Sequence, residues 1–175
     1  TLGPGSVSIV KLIYFIPTGE LMAIKKLNGT DDEQTKLFNR EIKNYQIIRH
    51  PFISKYDGKV ENSNYFIIEF INGHTFANIE KIQLDDKEII KIIFELMLII
   101  EYFHINEYFI RDLKPDNIMI DNQKNTVMID LDRVIVNPYD IDTDFTLGFP
   151  IIYLAPEVNV TKKYSFKSDI YSLGK

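Results

Sequence analysis

The sequence predicts an α+β chain: a small antiparallel sheet with one helix, then a mainly helical part. Three observations predict it. Runs of alternating, β-branched and aromatic residues at 8–15, 21–27 and 65–70 read as strands, all near the N-terminal end. Phe38, Ile42, Tyr45 and Ile48 form a helical stripe through 31–49. The segments 74–82 and 86–104 read as two further helices. A length of 175 residues fits one compact domain or two small lobes.

The elements can be justified in order. Pro17-Thr18-Gly19 is a turn between the first two strands. On the second, alternation places Ala23 and Lys25 on one face and Met22 and Ile24 on the other. Thr30 and Glu33 have capping-box spacing ahead of the first helix. Glu41 falls inside that helix's apolar stripe, with Leu37 and Tyr45 four residues to either side. A carboxylate on a buried face needs a partner. Pro51 disfavours continuation of the helix, so His50-Pro51-Phe52-Ile53 ends it and opens a strand. The apolar stretch 89–103 is interrupted by Lys91, Glu95 and Glu101, too short and too charged to span a bilayer; it reads as a helix buried on most sides. Ile118-Met119-Ile120, a turn at 121–125 and the apolar stretch 126–129 then lead to Asp130.

Composition excludes several function classes. A chain without cysteine has no disulfide framework. A net charge of −5 gives no nucleic-acid footprint. No basic region followed by a long apolar run opens the chain, and no membrane association is evident, so the cytoplasm is the default compartment. His50, His74 and His104 each lack a serine, a cysteine or a second metal ligand at useful spacing. Zinc and nucleophile-elbow motifs are therefore absent.

The chemistry lies in Ile110-Arg111-Asp112-Leu113-Lys114-Pro115-Asp116-Asn117, together with Asp130. An aspartate, a lysine two residues on and an asparagine three beyond bring base, cation and metal ligand into one loop. Phosphoryl transfer needs this set: a group to orient a hydroxyl, a cation for the moving phosphoryl group and oxygen ligands for magnesium. The run Arg111 to Asn117 resembles the catalytic loop of eukaryotic protein kinases, in the lysine-containing form of serine/threonine kinases. Other stretches resemble the same family, in order. Gly3 and Gly5 match its glycine-rich loop, with Ser8 where a third glycine is expected. Ala23-Ile24-Lys25 matches its Val-Ala-Ile-Lys strand, and Glu41 follows Lys25 by the family's sixteen residues. Glu69-Phe70-Ile71-Asn72-Gly73 resembles the hinge, with Ile68 as gatekeeper. Asp130-Leu131-Asp132 stands in place of Asp-Phe-Gly, eighteen residues after Asp112. Ala155-Pro156-Glu157 closes the activation segment. Ser168 to Gly174 resembles the start of helix F, whose aspartate, here Asp169, holds the catalytic-loop backbone.

The resemblance implies a bilobal fold: an N-lobe over 1–69, a hinge at 70–73 and a partial C-lobe over 74–175. It implies an ATP-dependent kinase acting on serine and threonine hydroxyls of protein substrates, with ATP and Mg²⁺ between the lobes. Val10, Ala23 and Met119 would flank adenine, and the Glu69 and Ile71 backbone would bond it. Lys25, fixed by Glu41, would hold the α- and β-phosphates. Asn117 and Asp130 would bind Mg²⁺, Lys114 would neutralise the moving phosphoryl group, and Asp112 would accept the hydroxyl proton. Thr146, with Thr143 as a rival, is the expected phosphosite, pairing with Arg111.

The departures keep a second reading open: a pseudokinase that binds nucleotide or partners without efficient catalysis. They are Ser8, the Leu131-Asp132 pair, Ile110 for the usual histidine, and Pro150 where a threonine usually bonds the catalytic aspartate and lysine. Ile110, Tyr45, Tyr56 and Leu131 would complete the family's internal spine. A small-molecule kinase is a third, weaker reading. The chain is also expected to be a piece of a longer kinase domain. The remainder of the C-lobe, or a covering partner, would then lie over the underside of 89–103, and Glu157 would be a lone carboxylate.

Overall fold

The computed structural model describes residues 3–4, 8–29, 31–136 and 151–175, with the backbone alone at 3–4. Alternating runs at the start of the chain pair into an antiparallel sheet of five strands. These are β1 (Gly3–Pro4), β2 (Ser8–Phe15), β3 (Glu20–Leu27), β4 (Tyr56–Lys59) and β5 (Tyr65–Glu69), in the spatial order β1-β2-β3-β5-β4. The register sets Val10 opposite Lys25, and Ala23 between Leu12 and Ile68. Gly5 lies outside the described residues. Ser8, at the expected third glycine, is buried opposite Leu27.

Helix α1 (Asp32–Ile47) crosses beneath this sheet's core residues, burying Leu37, Phe38, Glu41, Ile42, Asn44 and Tyr45. Its N-cap is Asp31, whose carboxylate accepts the Glu33 N–H at 3.2 Å. Thr30, expected to open a capping box with Glu33, lies outside the described residues. The helix stops at Ile47, and Ile48 is already extended. The strand expected to open at Ile53 reduces to one parallel bridge with Met128, because the next regular pairing begins only at Tyr56.

A helix over 74–82 is not what forms. Gly73–Thr75 is a strand, β6, followed by a 3₁₀ turn, Phe76–Lys81. β6 joins β7 (Ile118–Asp121) and β8 (Thr126–Met128) in a second, three-stranded sheet. The reason is steric. A Cβ on Gly73 would lie 2.0 Å from the Ile120 carbonyl oxygen, so only glycine permits this pairing.

Helix α2 (Asp86–Ile105) begins with a reciprocal capping box between Asp85 and Glu88. It is not buried on most sides. Ile92, Glu95, Ile99, Ile100 and Phe103 face inward, while Ile90 is 66% exposed, Phe94 59% and Met97 54%. Glu95, which interrupts the apolar run, points in: its carboxylate accepts the Thr126 N–H at 2.8 Å and lies 3.6 Å from Lys91. Two short helices follow, α3 (Pro156–Thr161) and α4 (Phe166–Leu173). Glu157 is not a lone carboxylate, since the Ser168 hydroxyl donates to it at 3.0 Å. One apolar cluster joins the two sheets, α1 and α2. Among the described residues no helix is long and apolar enough to cross a membrane.

Candidate active site

Two acidic arms are joined where the Ile129 N–H donates to the Asn117 carbonyl at 2.8 Å. The first is the loop after α2. Lys114 Nζ lies 2.6 Å from Asp112 Oδ2, and Asn117 Nδ2 donates to the same oxygen at 3.0 Å and to the Asp112 carbonyl at 2.9 Å. Pro115 opens the 3₁₀ turn, Pro115–Asn117, that brings Asn117 back onto Asp112. Burial pushes the Asp112 carboxyl above the ordinary carboxylate range; Lys114 and Asn117 pull the other way, and Asp130 adds to the rise.

Arg111 is in the left-handed region, at φ 68°. For a side chain with a Cβ this costs about 1–3 kcal/mol and persists only where the surroundings enforce it. Asp169 on α4, fully buried, does so. Its two oxygens accept the Ile110 N–H at 3.2 Å and the Arg111 N–H at 3.0 Å. Tyr164 donates to it at 3.2 Å, and His104 Nε2 lies 3.1 Å away. Arg111 is itself buried. Thr146, Thr143 and Pro150 lie outside the described residues.

The second arm is the segment that follows β8. Asp130, at φ 70°, sets Oδ1 3.3 Å from Lys25 Nζ. Lys25 also donates to Glu41 Oε1 at 2.7 Å. Helix α1 grips the same segment through its backbone: the Leu131 N–H reaches Glu41 at 3.3 Å, and Asn44 Nδ2 donates to the Leu131 and Val134 carbonyls at 2.7 and 2.9 Å. Asn44 was not singled out in the sequence. Its position three residues after Glu41, on the buried stripe, is the signal that could have found it. Leu131 and Ile110, in place of an aromatic and a histidine, are buried with Tyr45 in the core cluster. Tyr45 stacks on Tyr56 with ring centroids 6.3 Å apart.

The charges in this second arm do not balance locally. Burial alone would strip the proton from Lys25, but Asp130, Glu41 and Asp132 more than offset it and hold the ammonium charged. Burial also pushes the Glu41 carboxyl up; Lys25 pulls it back, while Asp130 and Asp132 add to the rise. Asp130 is buried as well, yet Lys25 and hydrogen bonds from Asp132 keep it below the usual range. Asp132 is pushed up to about 7 by burial and by Asp130. Two carboxylates thus meet Lys25, those of Glu41 and Asp130, while Asp132 has Arg133 Nε at 3.8 Å.

The oxygen donors of Asn117 and Asp130 suit a hard divalent cation. Asn117 is 5% exposed, and its Oδ1 takes no hydrogen bond among the described residues. No group of three His, Cys, Asp or Glu side chains that could hold a metal occurs among the described residues. Asn117 and Asp130 are the residues that could hold such an ion, with few protein ligands in the way magnesium is often bound.

The expected nucleotide face is partly described. Ala23 is buried on β3 and Val10 is half-buried on β2. Met119, half-buried, lies between the buried Ile118 and Ile120 on β7 and so on the opposite face of that strand. The Glu69 N–H is taken by the Lys55 carbonyl at 2.9 Å, whereas the Ile71 N–H has no acceptor among the described residues. Gly3 is described only as backbone, paired with Val10. A cavity of about 440 Å³ is lined by Phe52, Lys55, Glu69, Ile71, Asn72 and Asp121 among others; it touches the expected hinge but holds none of Lys25, Asp112, Asn117 or Asp130. It is not the place where the two arms meet.

Comparison with known proteins supplies the family. A family model described as protein kinase domain matches residues 1–175. The chain is 34% identical over 183 residues to the SNF1-related protein kinase catalytic subunit alpha KIN12 of Arabidopsis thaliana, covering 99% of this chain and 36% of that protein. It is 33% identical to hormonally up-regulated neu tumor-associated kinase homolog A of Xenopus laevis, covering 99% and 26%. To cAMP-dependent protein kinase type 3 of Saccharomyces cerevisiae it is 32% identical, covering 99% and 45%. The chain therefore spans less than half the length of each of these relatives.

Proposed function

Because this chain belongs to the protein kinase domain family, we propose that it transfers the γ-phosphoryl group of ATP to serine and threonine hydroxyls of protein substrates. The observation that carries this is the Asp112 carboxylate, held by Lys114 at 2.6 Å and Asn117 at 3.0 Å in the same small loop. Asp112 orients the substrate hydroxyl and takes its proton as the oxygen bonds to the γ-phosphorus. The bond from that phosphorus to the β–γ bridging oxygen breaks, and ADP leaves. Lys114 follows the charge of the moving group. Lys25, kept charged by Glu41, Asp130 and Asp132, holds the α- and β-phosphates. Asn117 and Asp130 would hold Mg²⁺, which when bound offsets the phosphate charge. Val10, Ala23 and Met119 flank adenine, and the Ile71 N–H and Glu69 carbonyl bond its edge. Catalysis is positioning and electrostatics, without a covalent intermediate. In this reading 1–69 form the upper lobe, 70–73 the hinge and 74–175 the part of the lower lobe present. A phosphate on Thr146 would pair with Arg111.

The test is incubation with radiolabelled ATP and a generic protein substrate, followed by phosphoamino-acid analysis. Label on serine and threonine, lost in Asp112→Asn, is expected. Nucleotide bound without transfer would replace this reading with the pseudokinase one.

A further inference from the structure

Asp130 sits at φ 70°, a conformation that a side chain with a Cβ keeps only where its neighbours enforce it. The residues on either side of it are held by different parts of the chain. Before it, the Ile129 N–H donates to the Asn117 carbonyl at 2.8 Å. After it, α1 grips Leu131 at both of its backbone polar groups. Glu41 accepts the Leu131 N–H at 3.3 Å, and Asn44 Nδ2 donates to the Leu131 carbonyl at 2.7 Å. The same nitrogen donates to the Val134 carbonyl at 2.9 Å, while the Val134 N–H turns back onto the Leu131 carbonyl at 3.3 Å. A primary amide carries two N–H donors on one nitrogen, and here there is a carbonyl for each. Asn44 is 2% exposed, and Leu131 and Val134 are as deeply buried. At that depth a backbone carbonyl depends on a donor from the protein.

We infer that Asn44 is a positioning residue for phosphoryl transfer: through the turn from Leu131 to Val134 it transmits the seating of α1 to the Asp130 carboxylate. This rests on the reading of Asp130 as a metal-binding residue. The Asn44 amide nitrogen is taken up by the two carbonyls, so it acts through the backbone that carries Asp130 and not on nucleotide directly. Without that donor the turn loses two of its ties to α1, and the left-handed Asp130 loses support on one side. The effect falls on the metal-dependent part of nucleotide binding. A carboxylate meets phosphates favourably only through a shared cation, and repels them without one.

The experiment is a double-mutant cycle between Asn44 and Asp130, read by calorimetric ATP binding with Mg²⁺ and with EDTA. Parent, Asn44→Leu, Asn44→Ala, Asp130→Asn and the two Asn44 changes combined with Asp130→Asn are compared, each checked for a cooperative thermal melt. Asn44→Leu keeps the volume and Asn44→Ala gives it up, so one carries the test if the other does not fold. Each Asn44 change should weaken Mg·ATP binding about tenfold and leave binding in EDTA within about twofold of the parent. In the Asp130→Asn background the same change should alter Mg·ATP affinity by no more than about twofold, since residues that act through one another are not additive. Equal losses with and without Mg²⁺, undiminished in the Asp130→Asn background, would overturn the inference and make Asn44 a support of the fold alone. Parent-like Mg·ATP affinity in the Asn44 variants, with weakened binding in Asp130→Asn, would overturn it and leave the metal reading standing. Parent-like Mg·ATP affinity in Asp130→Asn would overturn both.

Discussion

The two acidic arms of the site are held in opposite ways. The Asp112 arm is local: Asp112, Lys114 and Asn117 contact one another within six residues, and only its backbone is fixed from afar, by Asp169. The Asp130 arm is held almost wholly by distant residues. Its partners are Lys25 on β3 and, 90 and 87 residues before Leu131, Glu41 and Asn44 on α1. The difference teaches which part can move. The first arm keeps its internal geometry whatever the sheet does, while the second depends on where α1 sits. A shift of α1 would take Glu41 from Lys25 and from the Leu131 N–H, and Asn44 from the Leu131 and Val134 carbonyls, together.

The largest expected effect is at the anchor of the first arm. Asp169→Ala leaves the buried Ile110 and Arg111 amides unsatisfied and the left-handed Arg111 unsupported. Each buried donor left unpaired costs about 1–3 kcal/mol. Denaturant melts should show a loss of about 3–5 kcal/mol, with phosphotransfer gone. Loss of activity at parent stability would mean that Asp169 does not hold this loop.

Next is the second arm. Lys25→Ala removes more than a phosphate contact, because Glu41 is 1% exposed and would lose the cation 2.7 Å away. Breaking a buried pair costs about 3–5 kcal/mol, reduced here if Glu41 takes up a proton. The readout is again a denaturant melt; replacing both residues, Lys25→Met with Glu41→Leu, should recover much of the loss.

How far the site was legible follows the same division. The Asp112 loop could be read directly because its chemistry is consecutive in sequence. Glu41 was legible because a carboxylate inside an apolar stripe has to be explained. Asn44 was not, since an asparagine on a helix gives no sign of the two carbonyls it meets across the chain. The segment 74–82 misled because nothing in its pattern reveals the Ile120 carbonyl against Gly73. On α2, hydrophobicity alone did not tell inside from outside: Glu95 faces in and Phe94 out.

That outer face of α2 gives the smallest effect. Phe94→Lys, at 59% exposure, should change stability by no more than about 0.5 kcal/mol, as surface changes usually do. It should lower hydrophobic-dye binding, because exposed apolar patches attract such probes. A destabilisation comparable to that of Lys25→Ala would show that Phe94 is packed, and would remove the contrast between that face and the site.

The most direct measurement sets the two arms against each other: calorimetric affinity for Mg·ATP in Asp112→Asn and Asn44→Ala, with transfer measured in both. The account expects Asp112→Asn to bind within about twofold of the parent and not to transfer. Asn44→Ala should bind about tenfold more weakly, roughly 1.4 kcal/mol, because the Leu131 and Val134 carbonyls that follow Asp130 lose their donor on α1. Equal affinities in the two variants, or transfer surviving in Asp112→Asn, would contradict the division of labour between the arms.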